Sequence, residues 1–196
     1  MTSSRPWLTA WRTPALGATV LCAAAALLMG APAWAQKVRL ATSQGDVVVE
    51  LDAEKAPKTV ANFLAYVKAG HYDGVIFHRV IPTFMVQTGG YKLDLSEKPT
   101  RVPIPLESRN GLSNVRGSIA MARTMVPASA TSQFFINVVD NDRLDQPNAR
   151  DGEGYAVFGK VIAGMDTVKK IETTKTSGQD RPVTPVQMIS ITVHEN

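Results

Sequence analysis

Cysteine is almost missing from this chain: of 196 residues, Cys22 is the single example. It lies in an apolar run, ALGATVLCAAAALLM, from Ala15 to Met29. That run is short of the roughly 20 residues a membrane span needs. Arg5 and Arg12 are the only charges before Lys37. Gly30 and Pro32 break the run, and Ala33-Trp34-Ala35 places small residues where a signal peptidase needs them. Residues 1–35 therefore read as a secretory signal peptide cleaved after Ala35. No twin arginine precedes the run, which points to export in the unfolded state. Cys22 lacks small residues just before it, which argues against a lipoprotein. The mature chain is then 36–196, long enough for one domain with its own core. It carries no cysteine and so no disulfide, and a domain of this size needs none.

Basic clusters are missing too. The formal charge of +4 drops to +2 once Arg5 and Arg12 leave with the signal. No lysine/arginine patch stands out, so no nucleic-acid partner is expected. The three histidines, His71, His78 and His194, fit no zinc pattern. His78 reads as a satisfied polar group near a sheet, the other two as surface. Asp140-Asn141-Asp142 begins like a calcium loop but lacks the glycine and terminal glutamate at the required spacing. No G-x-S-x-G elbow occurs, no acid–histidine pair can be assigned to Ser132, and glycine-rich phosphate motifs are absent. Neither metal nor cofactor nor covalent nucleophile is implied.

What is present is a succession of short β-patterned segments. Lys37–Thr42 and 47–51 alternate around the turn Ser43-Gln44-Gly45-Asp46, as in a hairpin. Pro57 suits a first helical turn. Val60, Phe63, Leu64 and Val67 then recur at helical spacing, with Gly70 as C′ residue. Further strands are expected over 75–80, 83–88, 117–122, 133–138, 155–161 and 188–193. A short helix is expected over 164–171, with Val168 and Ile171 on one face. Long polar loops fill 91–116 and 140–154. Eight strands with so few helices argue against βαβ units. The expected fold is an all-β, closed, antiparallel eight-stranded barrel, since closure removes sheet edges, with one helix over each open end.

One segment sets an arginine among mostly apolar neighbours: FHRVIPTFMVQTGG, from Phe77 to Gly90. Strand alternation puts Phe77 and Arg79 on one face and His78 and Val80 on the other. It likewise puts Met85 and Gln87 on one face and Phe84 and Val86 on the other. Arg79 thus overlooks either a pocket built from several strands or plain solvent; the pattern alone supports both.

Four blocks decide the matter further. YDGVIFHRVIPTFMVQTGG, GSIAMAR, SQFFINV and YAVFGKVIAGMD, in that order, resemble the cyclophilin peptidyl-prolyl cis–trans isomerases, and the resemblance spans residues 37–194. The family fold, an eight-stranded antiparallel barrel with a helix at each end, agrees with the segment pattern. The resemblance implies isomerisation of X–Pro bonds without a covalent intermediate or cofactor. It matches Arg79 to the catalytic arginine and Phe84, Met85, Phe135, Leu144 and Tyr155 to the walls of a proline pocket. Gln87 and Gln133 match groups that hydrogen-bond the substrate backbone, and Ala122 matches a small residue lining the peptide groove. Arg123 stands where the family usually has asparagine, and the chain departs from the cyclosporin-binding eukaryotic pattern at two places: Arg143 for tryptophan and Tyr155 for histidine. Tyr155 and the signal peptide are similar to periplasmic bacterial members. The expected partners are proline-containing unfolded or partly folded polypeptides, with at most weak cyclosporin binding. A monomer is expected in the periplasm, the extracellular medium being the alternative destination, with no membrane attachment after signal cleavage. A non-catalytic proline-peptide binder or chaperone is the rival from another class; a secreted hydrolase has little support.

Overall fold

The computed structural model describes residues 36–194; the expected signal peptide lies outside the described residues. The strands are β1 (Lys37–Thr42), β2 (Gly45–Leu51), β3 (Arg79–Ile81), β4 (Met85–Thr88), β5 (Ser118–Met121), β6 (Phe134–Asn137), β7 (Val157–Ala163) and β8 (Met188–His194). The helices are α1 (Pro57–Lys68) and α2 (Met165–Glu172), with a 3₁₀ turn at Asp142–Leu144 inside the second polar loop.

The strands form one sheet in the order β3-β4-β6-β5-β7-β2-β1-β8, and every pairing between neighbours is antiparallel. Here the closed barrel is corrected to a curled, open one. No ladder joins β3 to β8. Across that gap lie only an isolated bridge, Ile76 to Gln187, and backbone bonds such as Phe77 N–H to Val186 O at 2.9 Å. The expected strand over 75–80 shrinks to Arg79–Ile81, because Val75 and Ile76 make single bridges instead of a continuous ladder and residues 77 and 78 make none.

Period-two patterning builds the interior. Val38 and Leu40 of β1 face Val49 and Val47 of β2, and all four are buried. Val80, Val86, Ile136 and Ile119 continue that inner row across β3, β4, β6 and β5. α1 lays Val60, Phe63 and Val67 onto this core, as their spacing implies, and adds the buried Tyr66. The Phe63 ring meets Tyr72, Phe134 and Phe158 at centroid distances of 5.3, 5.4 and 5.3 Å. α1 stops where expected. Gly70 takes φ 62°, its N–H bonds Val67 O, and the N–H of His71 bonds Tyr66 O, the paired bonds of a Schellman motif. At the other terminus of α1 the N-cap is Ala56, which has no capping side chain. Glu107, from the 91–116 loop, takes over that task by accepting Lys58 N–H and Thr59 N–H at 3.1 and 2.8 Å. α2 contributes Val168 and Ile171 to the core.

Candidate active site

Register predicts where the outward side chains meet. Residues directly opposite each other in adjacent strands share a face of the sheet. Arg79 pairs with Gln87, Gln87 with Phe135, Phe135 with Ala120, and Ala120 with Val157. The row runs across β3, β4, β6, β5 and β7 on the face away from the core. With strands about 4.8 Å apart, it sets an arginine some 10 Å from an aromatic ring, with a glutamine between. This is why β5 and β6 are buried on both faces: a second apolar cluster of Met85, Ala120, Phe135 and Val157 covers the outer one.

A hollow of about 250 Å³ opens on this face, lined by Arg79, Phe84, Met85, Gln87, Ala122, Arg123, Phe135, Leu144 and Tyr155. It brings together every site residue expected from the sequence except Gln133. Gln133 lies beside it and accepts a hydrogen bond from Gln87 Nε2 at 2.9 Å. Gly90 makes room for that side chain, since a Cβ there would sit 2.6 Å from Gln133 Nε2. A hollow of about 420 Å³ near Glu50, Asp52 and Glu54 is larger, but it has no aromatic wall and no arginine.

Two face assignments are corrected. Phe77 is buried in the main core with Val80, whereas Arg79 faces outward, because the irregular backbone before β3 breaks the alternation. Phe84 joins Met85 in the outer cluster instead of following Val86 inward. It precedes β4, in a tight turn where its N–H bonds Ile81 O at 3.1 Å and Thr83 adopts φ 59°. Buried Glu172, at the end of α2, holds that turn by accepting Thr83 N–H at 3.0 Å.

The Arg79 side chain is 46% exposed and meets Asp180 Oδ2 at 3.7 Å. A pair so long and so wet binds the guanidinium weakly and leaves its donors available. Opposite it, the rings of Phe135 and Tyr155 stand edge to face, 5.7 Å apart. Behind Tyr155 lies a group that sequence reasoning noted only as a departure. The Arg123 guanidinium sits 4.6 Å from the Tyr155 ring centroid, and its side chain is only 1% exposed. It donates to Gly154 O at 2.8 Å, Thr124 O at 3.0 Å and Asp151 Oδ2 at 2.6 Å. Arg143 covers the Phe84 ring from outside, at 4.5 Å.

A buried amide network also escaped the sequence reading. Asn141 Nδ2 donates to Phe84 O and Asn137 Oδ1, and Asn137 Nδ2 donates to Asn114 Oδ1 and Ser118 Oγ. Asn114 in turn donates to Asp145 Oδ1 from both its backbone N–H and its amide. The network ties the turn holding Leu144 to the strand holding Phe135 and to the backbone of Phe84. Its available signal was an asparagine closing an otherwise apolar strand, FFIN.

The histidines differ in part from expectation. His194 is exposed, but His71 is half-buried between Tyr66 and Tyr72, with Nε2 3.2 Å from Gly89 O. His78 packs on Tyr91 but is not the satisfied polar group expected, since its buried Nδ1 has no hydrogen-bond partner. Burial pushes its pKa down to about 4, with the charges of Arg79 and Arg181 adding to the effect and the backbone at Ile76 opposing it. Among the described residues no cluster of potential metal ligands forms.

The arrangement is an aromatic-walled cavity with the half-exposed Arg79 guanidinium at its mouth and side-chain amides beside it. It suits gripping a compact apolar ring and donating to an atom next to it. Comparisons with known proteins agree. Residues 37–193 match the family described as cyclophilin type peptidyl-prolyl cis-trans isomerase. The chain is 51% identical to a peptidyl-prolyl cis-trans isomerase of Acinetobacter baylyi over 172 residues, covering 85% of this chain and 90% of the relative. It is 50% identical to peptidyl-prolyl cis-trans isomerase B of Escherichia coli over 159 residues, covering 79% and 97%. The fold is similar to the crystal structure of a Cryptosporidium parvum cyclophilin type isomerase, with a TM-score of 0.71 at 28% identity, covering 83% of this chain and 99% of that one. The chain belongs to the cyclophilin-type peptidyl-prolyl cis–trans isomerases, enzymes that act on proline-containing peptides.

Proposed function

We propose that this isomerase acts on exported polypeptides in the periplasm, assisting their folding, with Arg79 as its catalytic residue. An X–Pro bond rotates slowly because amide resonance must be lost, a barrier of about 18–20 kcal/mol, so uncatalysed exchange takes tens of seconds or longer. At the twisted transition state the proline nitrogen turns pyramidal and gains a lone pair. A donor aimed at that nitrogen meets charge that the planar ground state lacks, and such differential binding is what lowers a barrier. The permanently charged, forked guanidinium of Arg79 supplies the donor. Phe84, Met85, Phe135, Leu144 and Tyr155 hold the pyrrolidine ring, Ala122 leaves room for the chain, and Gln87 with Gln133 orients the substrate backbone. The carbonyl before proline then swings against a fixed ring, and no bond is cleaved.

The observation that carries this reading is the cross-strand row from Arg79 through Gln87 to Phe135, which sets donor and apolar wall on one face. Arg79→Ala is expected to lower kcat/KM in a protease-free isomerisation assay by about 10²- to 10³-fold, the range for losing one preorganised donor. Turnover within a few-fold of wild type, in a variant with unchanged circular dichroism, overturns the assignment. The export reading rests on the apolar run at Ala15–Met29 and the Ala33-Trp34-Ala35 site. Intact mass of the protein from a periplasmic extract is expected to begin at Gln36; full-length chain confined to the cytoplasm overturns it. The enzyme is proposed to be a monomer and to bind cyclosporin weakly at most, because Arg143 and Tyr155 stand where strong binders carry tryptophan and histidine.

A further inference from the structure

Arg79 faces a second hollow on its other flank. This one is about 400 Å³, and its lining includes His78, Arg79, Gln87, Tyr91, Gln179 and Arg181. Most of its lining residues are polar, where most of those lining the proline pocket are apolar, and two of its residues, Arg79 and Gln87, line both. Its outer wall is the loop before β8. That loop is folded by bonds from Ser177 N–H to Arg181 O at 2.7 Å and from Asp180 N–H to Ser177 O at 3.1 Å. It hooks onto β3 through Val80 N–H to Asp180 O at 2.7 Å, which sets Arg181 beside Arg79 although they are a hundred residues apart in sequence.

Charge there is unbalanced. Arg79 and Arg181 carry two positive charges, and Asp180 offers one carboxylate, 3.7 Å from Arg79 Nε. Tyr91 and the glutamines are neutral, and burial keeps His78 uncharged above about pH 4. Arg181 Nε is buried and has no hydrogen-bond partner in the described structure. A buried cationic donor without an acceptor is costly, and a carboxylate entering the hollow would supply one. Asp180 already shows a carboxylate resting against Arg79.

We propose that this hollow is a subsite for an acidic side chain of the polypeptide substrate, placed within a few residues of the proline held in the neighbouring cavity. The shared residues support that relation: a carboxylate reaching Arg79 and Arg181 in this hollow lies next to the proline held in the adjoining pocket.

The test scans glutamate, glutamine and lysine through the three positions on each side of proline in short peptides, with exchange followed by NMR. At one position glutamate is expected to give kcat/KM about two- to fivefold above glutamine, the size of a half-exposed ion pair, and lysine to fall below both. Arg181→Gln is expected to bring the glutamate-to-glutamine ratio to about one. Asp180→Asn, which removes the competing carboxylate, is expected to raise it, so the proposal stays testable if the first variant misfolds. Equal rates for glutamate and glutamine at every position, or a ratio that survives Arg181→Gln, overturns the subsite. The glutamine peptides measure isomerisation itself in the same reactions, so failure of the subsite is distinguishable from failure of the Arg79 assignment.

Discussion

Arg123 shows how one residue inside the cavity wall acts through another. Its guanidinium is locked by three acceptors and lies over the Tyr155 ring. The lock fixes the ring that meets Phe135 edge to face. Cation–π contacts of this kind are worth about 0.5–2 kcal/mol, the upper end when desolvated. Arg123→Ala is therefore expected to raise KM about five- to tenfold through a loosened cavity wall, with a smaller change in kcat. Arg123→Lys should recover part of the loss, since it keeps the charge without the fork. Steady-state kinetics with the tyrosine ring resonances read by NMR checks this; an unchanged KM with undisturbed ring signals counts against it. Tyr155 itself offers a ring and a hydroxyl. If the ring dominates, Tyr155→Phe costs about threefold or less and Tyr155→Ala tenfold or more, from the apolar area lost. Equal losses in the two variants would place the effect in the hydroxyl.

At the scale of elements, the long loops are structural members. The 91–116 loop sends Glu107 to the bare N-terminus of α1, where its carboxylate accepts two backbone N–H groups and the Thr59 hydroxyl. That satisfies donors which Ala56 cannot reach and adds negative charge at the positive end of the helix dipole. Glu107→Ala is expected to destabilise the fold by about 1–2 kcal/mol, the cost of losing a helix cap, measured by urea unfolding. A change below about 0.3 kcal/mol would mean that water replaces the carboxylate at no cost. Glu172 does a similar service from the end of α2. It holds the Thr83 turn, and that turn aims Phe84 outward.

For the whole molecule, the two partly buried histidines set an acid limit. His78 has its pKa pushed down from 6.5 to about 4, mainly by burial, and His71 is lowered for the same chief reason. The folded state therefore binds fewer protons than the unfolded one between those values, so stability is full above about pH 6.5 and falls as pH drops toward 4. For His78 the gap is on the order of 3 kcal/mol. The melting temperature is expected to fall by about 6–10 °C across that window. His78→Gln should flatten much of the slope in calorimetry; an identical slope would assign it elsewhere.

Strand-like alternation and the helical stripe ending at Gly70 were enough to give eight strands and two helices, local properties set by side-chain period and backbone preference along a few residues. The candidate site residues came instead from the resemblance carried by four sequence blocks, and the structure gathers all of them but Gln133 around one hollow. Tertiary structure alone decided that the sheet stays open between β3 and β8, that Phe77 turns inward and Phe84 outward, and that His71 is half-buried. It alone brought Arg123 over the Tyr155 ring, the three asparagines into one network, and Arg181 beside Arg79. Each of those outcomes depends on which distant segment fills the space or supplies the hydrogen bond, and neither periodicity nor propensity along the chain carries that information.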